Sequence, residues 1–109
     1  MPIHLSDLEQ IVLLALLRLG PDAYGVPIGD EIASRTGREV SLGTIYKTLI
    51  RLEAKGLVSA RLGSPTPERG GRRKRFYQLT PTGKKALAAA LQAIHRLTAG
   101  VEHLLPEQP

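Results

Sequence analysis

Apolar residues first gather in the run "IVLLALL", from Ile11, directly behind Ser6-Asp7-Leu8-Glu9. A hydroxyl followed three residues later by a carboxylate is a capping box, in which the Ser6 oxygen accepts from the Glu9 N–H and the Glu9 side chain accepts from the Ser6 N–H. The pattern predicts a first helix over about Asp7 to Leu19, stopped by Gly20-Pro21-Asp22. Leu8, Ile11, Val12, Leu14, Ala15, Leu16 and Leu17 cover most of its circumference, so it should be buried on more than one side. A second helix is predicted from near Val26, where Pro27 suits the first helical position, presenting Ile28, Ile32 and Ala33 before Gly37 ends it. Ser41 caps a third, "LGTIYKTLIRLEAK", and Gly56 terminates it.

Around the third helix Leu42, Ile45, Leu49 and Leu52 share one face. Thr44, Lys47 and Arg51, with Thr48 and Lys55 at the edge, take the opposite one, which is polar and cationic without a carboxylate. "LVSARL" and "KRFYQL" have strand composition, and the Pro- and Gly-rich "GSPTPERGGRR" between them makes the pair a hairpin with a long basic tip. Thr80-Pro81 then restarts helix, expected to reach about Leu105. Leu87, Leu91, Ile94, Leu97 and Val101 line one side of it at three- and four-residue spacing. A long helix in so small a chain has little else to cover such a stripe, so these five residues are expected to form the interface with a second copy.

The order helix, helix, helix, hairpin, long helix is mainly α with one β-hairpin. Helix-turn-helix followed by a two-stranded ribbon is the winged-helix arrangement, in which one helix enters the major groove and the ribbon, the wing, lies along adjacent phosphates. The expected division is a winged helix-turn-helix over residues 1–80, a dimerisation helix over 81–105 and a tail over 106–109. At 109 residues the chain has room for one modest core, and with no Trp and few aromatics that core must be aliphatic.

Charge sharpens this picture. Between Lys47 and Lys85 there are eleven Lys and Arg against only Glu53 and Glu68, whereas the rest of the chain holds four basic and eight acidic residues. One region is therefore built to meet a polyanion, and nucleic acid is the usual one for such a block, with a membrane surface or simple solubility as the alternatives. In the wing, Arg69, Arg72, Arg73, Lys74 and Arg75 supply counter-charge for phosphates, and at least one of Phe76 and Tyr77 should pack inward. No cysteine is present, which removes disulfides, thiolate metal sites and cysteine nucleophiles. The three histidines are scattered, and neither a metal site, a cofactor site nor a catalytic constellation is expected. The apolar run is far shorter than a membrane span and follows acidic rather than basic residues, so no signal peptide or anchor is expected and the cytoplasm is the expected compartment.

Three blocks in order, "LLALLRLGPDAYGVPI", "SLGTIYKTLIRLEAKGLV" and "RRKRFYQLTPTG", covering about Leu13 to Gly83, resemble the PadR family of transcriptional regulators, with the short C-terminal helix of one of its subfamilies. Pro27 departs from that family's pattern, as does the absence of Trp. The resemblance implies a homodimeric winged-helix protein that binds an operator in double-stranded DNA, usually a repressor, whose affinity can respond to a small hydrophobic or aromatic effector. It also lets Tyr46 reach DNA beside Thr44, Lys47, Thr48 and Arg51, with core packing the alternative for that ring; Tyr24 is structural, with its hydroxyl in reach of a phosphate. A flat apolar effector would sit where the first helix faces a C-terminal helix across the dimer axis, flanked by Leu8, Val12, Ala15, Leu91, Ile94 and His95, with a fully packed core as the alternative. The competing function is a winged-helix adaptor that sets the basic hairpin on an acidic protein surface.

Overall fold

The structure is a computed structural model that describes residues 3–64 and 73–106. Four helices, α1 (Asp7–Leu19), α2 (Gly25–Thr36), α3 (Leu42–Ala54) and α4 (Pro81–Leu97), enclose a two-stranded antiparallel hairpin of β1 (Val58–Leu62) and β2 (Arg75–Leu79). Short 3₁₀ turns cover Gly20–Asp22 and Glu102–Leu104. The caps follow local chemistry. At the head of α1 the Glu9 N–H donates to Ser6 Oγ at 3.1 Å, and the Ser6 N–H donates to Glu9 Oε1 at 2.8 Å. Ser41 Oγ accepts from the Thr44 N–H at the head of α3. The end of α3 is a paired closure, with the Gly56 N–H on the Glu53 carbonyl and the Leu57 N–H on the Leu52 carbonyl, and Gly56 supplies the φ of 74° that this geometry requires.

α2 starts earlier than expected. Tyr24 is its N-cap, which puts Pro27 at the third helical position rather than the first. The first helical hydrogen bond comes from the Ile28 N–H to the Tyr24 carbonyl, so the N–H that Pro27 lacks had no partner to lose.

α1 is the central element, packed against α2, α3, α4 and β2. Its Val12, Leu13, Ala15 and Leu16 meet Ile28 and Ile32 of α2, Ile45, Leu49 and Leu52 of α3, and Leu57, Val58, Tyr77, Leu79 and Leu87 in one aliphatic core. Each such side chain contributes roughly 1.5–3 kcal/mol by leaving water. Burial of α1 is nonetheless incomplete, because Leu14 and Leu17 remain exposed. A second tie joins α1 to α3. Glu9 is buried, and its Oε2 accepts from Lys55 Nζ at 2.7 Å. Burial alone would raise the Glu9 pKa, but the hydrogen bonds from Lys55 and the Ser6 N–H outweigh it and hold the carboxyl below its ordinary value.

The hairpin pairs Val58 with Leu79, Ala60 with Tyr77 and Leu62 with Arg75. Tyr77 packs inward and Phe76 lies half-buried on the other side, as strand alternation dictates. The free side of β2 is also engaged: the Tyr77 N–H donates to the Ala23 carbonyl at 2.9 Å, in the connection between α1 and α2. Arg61 reaches the same connection, donating to the Pro21 carbonyl at 3.1 Å while its guanidinium lies 4.6 Å over the Phe76 ring. The Phe76 ring meets Tyr24 edge to face at 5.6 Å.

Thr80 fixes the start of α4. Its hydroxyl donates to the Gly56 carbonyl and accepts from the Gly83 N–H, and its own N–H donates to the Leu57 carbonyl. The far end falls short of Leu105, because α4 stops at Leu97. There the Thr98 hydroxyl donates to the His95 carbonyl at 2.6 Å, the N–H groups of Thr98 and Ala99 bond back in tight turns, and Gly100 takes a φ of 88° that continues no helix. The expected single helix over 81–105 is therefore a 17-residue helix followed by a turn, and Val101 lies outside it.

Candidate nucleic-acid interface

The buried arc of α3 consists of Ile45, Thr48, Leu49 and Leu52. At 100° per residue the opposite, outward face is centred on Gly43, Lys47, Ile50 and Ala54, with Thr44 and Arg51 on its flank, and all six are exposed. The outward face is thus rotated from the one expected, and Ile50 and Gly43 belong to it. Thr48 does not. It is buried beside Ile45 and Leu52, and its hydroxyl donates to the Thr44 carbonyl at 2.8 Å, which satisfies the one polar group it brings into the core. Tyr46 is half-buried, and its phenol end lies so close over Gly25 that a Cβ there would come within 2.6 Å of it. The ring therefore fills the joint between α2 and α3 at the rim of the outward face.

The side chains of Lys47 and Arg51 have no ion-pair or hydrogen-bond partner among the described residues. Arg18, Arg35, Arg38, Lys55 and Arg75, by contrast, all pair with carboxylates. Arg75 donates to Glu53 Oε2 at 3.1 Å, and its guanidinium stands 5.8 Å from the centre of the Tyr77 ring. This pair ties the root of the wing to the last turn of α3, so Arg75 is engaged within the chain. Arg73 and Lys74 are exposed, Lys74 Nζ standing 4.7 Å over the Tyr24 ring. Arg69 and Arg72 lie outside the described residues.

The other expected groupings are redistributed. Leu87 is buried in the core of its own chain, because the first turns of α4 pack on α1 and β2, so it cannot serve a second copy. Leu91, Ile94 and Leu97 stay exposed, Leu97 at 80%, and Val101 is exposed beyond the helix end. Within a single chain the six residues expected around an effector across the dimer axis do not gather. Val12 and Ala15 belong to the packed core, Leu8 is half-buried at its margin, and Leu91, Ile94 and His95 stand on the outer half of α4. An open groove of about 520 Å³ along α1 and α2 takes only Ala15 of them, and one of about 590 Å³ between α4 and the residues leading into α1 takes only Ile94. Among the described residues there is no group of three metal-ligating side chains, and no helix is long and apolar enough to cross a membrane.

Helix-turn-helix and hairpin, joined through Arg75 and Glu53 with unpaired cations outward, define a winged helix-turn-helix. The chain belongs to the PadR-like family of transcriptional regulators, whose pattern it matches over residues 13–89. It is 40% identical over 80 residues to the transcriptional regulator Rv3488 of Mycobacterium tuberculosis, a match covering 73% of this chain and 70% of that protein. Its fold is that of the PadR-like transcriptional regulator BC4206 from Bacillus cereus, with a TM-score of 0.71, 23% identity and 93% of each chain covered. It is also that of Bacillus subtilis PadR, solved in complex with operator DNA, with a TM-score of 0.64, 23% identity, and 94% of this chain but 49% of that one covered.

Proposed function

We propose that this regulator binds an operator in duplex DNA as a homodimer, α3 entering the major groove and the wing lying on the flanking phosphates, and that it represses transcription by occupying that site. The observation that carries this reading is the unpaired Lys47 and Arg51 on the outward face of α3, held beside Arg73 and Lys74 by the Arg75–Glu53 pair. Arg18, Arg35, Arg38, Lys55 and Arg75 sit in ion pairs, and Lys84, Lys85 and Arg96 stand apart on α4, whereas these cluster on one surface with their charge available to a polyanion. Bacillus subtilis PadR, of the same fold, was solved on operator DNA, which agrees with this reading.

The second copy would be held by the outer half of α4. Leu91, Ile94 and Leu97, with Leu104 and Leu105 beyond, form an apolar patch that a single chain leaves in water. Two α3 helices related by a two-fold axis would address half-sites about 34 Å apart. A small hydrophobic or aromatic effector would enter one of the open grooves, since the core between α1 and α4 is filled.

The test is selection of bound sequences from a random duplex pool, followed by titration of the selected duplex at two salt concentrations. Base contacts specify and phosphate contacts position. Lys47→Ala is expected to change preference among duplexes by about 1–3 kcal/mol, whereas Arg73→Ala weakens all duplexes alike and lowers the salt slope by about one. Uniform loss in both variants would remove α3 from base reading, and absence of duplex binding at low salt would leave the adaptor as the function.

A further inference from the structure

An exposed position in the middle of α3 holds an aliphatic side chain. Ile50 is 61% exposed and sits between Lys47, Arg51 and Ala54 on the outward face, and Leu42, in the first turn, is 44% exposed on the side of α3 that turns toward α2. Ile50 is the most exposed large aliphatic side chain on α1, α2 and α3, and the α3 core is complete without it, Ile45, Leu49 and Leu52 being fully enclosed. The face that carries Ile50 also holds Gly43. A side chain at Gly43 would meet nothing within 4 Å, and its backbone is not in the left-handed region, so neither packing nor conformation calls for glycine. Glycine weakens a helix there by up to about 1 kcal/mol relative to alanine. A bare backbone step on the face of an exposed aliphatic group is what a surface needs if a partner is to come within contact distance of the helix.

The surrounding charge selects the partner. Lys47 and Arg51 flank Ile50, and Arg73 and Lys74 stand at the root of the adjoining wing, so the approaching surface is anionic at its rim and offers methyl groups at its floor. The major groove of B-DNA has this arrangement, with phosphates along both walls and the thymine 5-methyl projecting from the base edges.

We propose that Ile50 and Leu42 are specificity residues of α3 that read thymine 5-methyl groups by van der Waals contact, with Gly43 admitting the base edges to the helix backbone. This rests on the duplex-binding reading above and adds what the operator must contain: thymine at defined positions, recognised by its methyl.

Replacing each thymine of the selected duplex in turn by deoxyuridine removes one methyl and leaves every hydrogen-bonding edge intact. Each contacted position is expected to lose about fourfold in affinity, the equivalent of about 0.8 kcal/mol for one buried methyl-sized group. Ile50→Ala is expected to bind the thymine duplex several-fold more weakly and to lose its response to deoxyuridine at the position Ile50 contacts; Leu42→Ala should do the same at a different position. Ile50 is largely outside the core and Leu42 is partly covered by α2, so circular dichroism should match the parent's in both variants and the melting midpoint should stay close to the parent's in Ile50→Ala. Parent protein that binds the duplex but ignores every thymine-to-uracil change overturns the inference while leaving duplex binding intact. Ile50→Ala and Leu42→Ala that remain as uracil-sensitive as the parent overturn it as well. Binding to an acidic protein with no duplex binding overturns both this inference and the reading beneath it.

Discussion

Gly43→Ala and Gly83→Ala are the same chemical change in the first turn of two helices, and the structure gives them opposite signs. In α3 the added methyl enters open space, so only backbone entropy responds, and stability should rise by about 0.5–1 kcal/mol. In α4 an added Cβ would lie 2.0 Å from the Leu57 carbonyl oxygen and 2.9 Å from its carbon. Carbon and oxygen normally approach no closer than about 3.3 Å, so the head of α4 must retreat by over an ångström. The contacts it would retreat from are the two hydrogen bonds of Thr80, to the Leu57 and Gly56 carbonyls. Overpacking of about 1–3 kcal/mol, plus roughly 1 kcal/mol for each weakened bond, exceeds the helix gain, for a net loss of about 2–4 kcal/mol. At about 4–8 °C per kcal/mol for a domain near this size, the Gly83→Ala midpoint should fall by roughly ten degrees or more while that of Gly43→Ala rises by a few. Thermal and urea melts at one fixed protein concentration measure both, since the midpoint of a dimer depends on concentration. A Gly83→Ala protein that melts with the parent, or a Gly43→Ala protein that falls as far as Gly83→Ala, would refute the reasoning.

Other expectations follow from single features. Leu97→Asp, at a position 80% exposed in one chain, should leave the fold intact and convert the proposed dimer to monomer in sedimentation; a dimer that persists puts the interface elsewhere, and a parent that sediments as a monomer removes it. Lys55→Met should destabilise by about 1 kcal/mol, well under the 3–5 kcal/mol of a fully buried pair because Lys55 is 40% exposed and solvent screens it. The Glu9 pKa is depressed in the fold, so this contribution is present above the ordinary carboxylate range and fades as pH falls through the lowered value; parent and variant melts should converge in acid, and a gap independent of pH would remove the ion pair as its cause. Saturating aromatic acids or hydrophobic compounds should raise the melting midpoint if an open groove is an effector site, and no shift across the panel would leave the grooves without that role.

Element boundaries set by local chemistry were legible in the residues themselves. Ser6 with Glu9, Ser41, Gly56 and Thr80 act on atoms three or four residues away, and each does in the fold what its position predicts. The end of α4 was not, because the leucine stripe runs past Leu97 at helical spacing while the break comes from the Thr98 hydroxyl and Gly100. The orientation of α3 was misread by one residue type. Threonine counts as polar, but Thr48 bonds its own helix and enters the core on its methyl side, which turns the outward face toward Ile50. Adding Thr48 to the buried set on a helical wheel would have exposed Ile50. The expected effector pocket spans two copies, and within one chain much of the apolar circumference of α1 is already used by four neighbouring elements.

The bond from the Tyr77 N–H to the Ala23 carbonyl, with the reach of Arg61 to Pro21 across 40 residues of chain, bears on how small a working piece of this protein can be. A two-stranded hairpin alone is marginal in water. Here the strand that returns from the wing is sandwiched between β1 and a connection that precedes both helices of the helix-turn-helix. An excised fragment from Ser41 to Leu79 would carry the whole of α3 and both strands, yet lack the connection that β2 leans on. Grafting the wing and α3 onto another scaffold should therefore transfer function only if residues 21–24 travel with them.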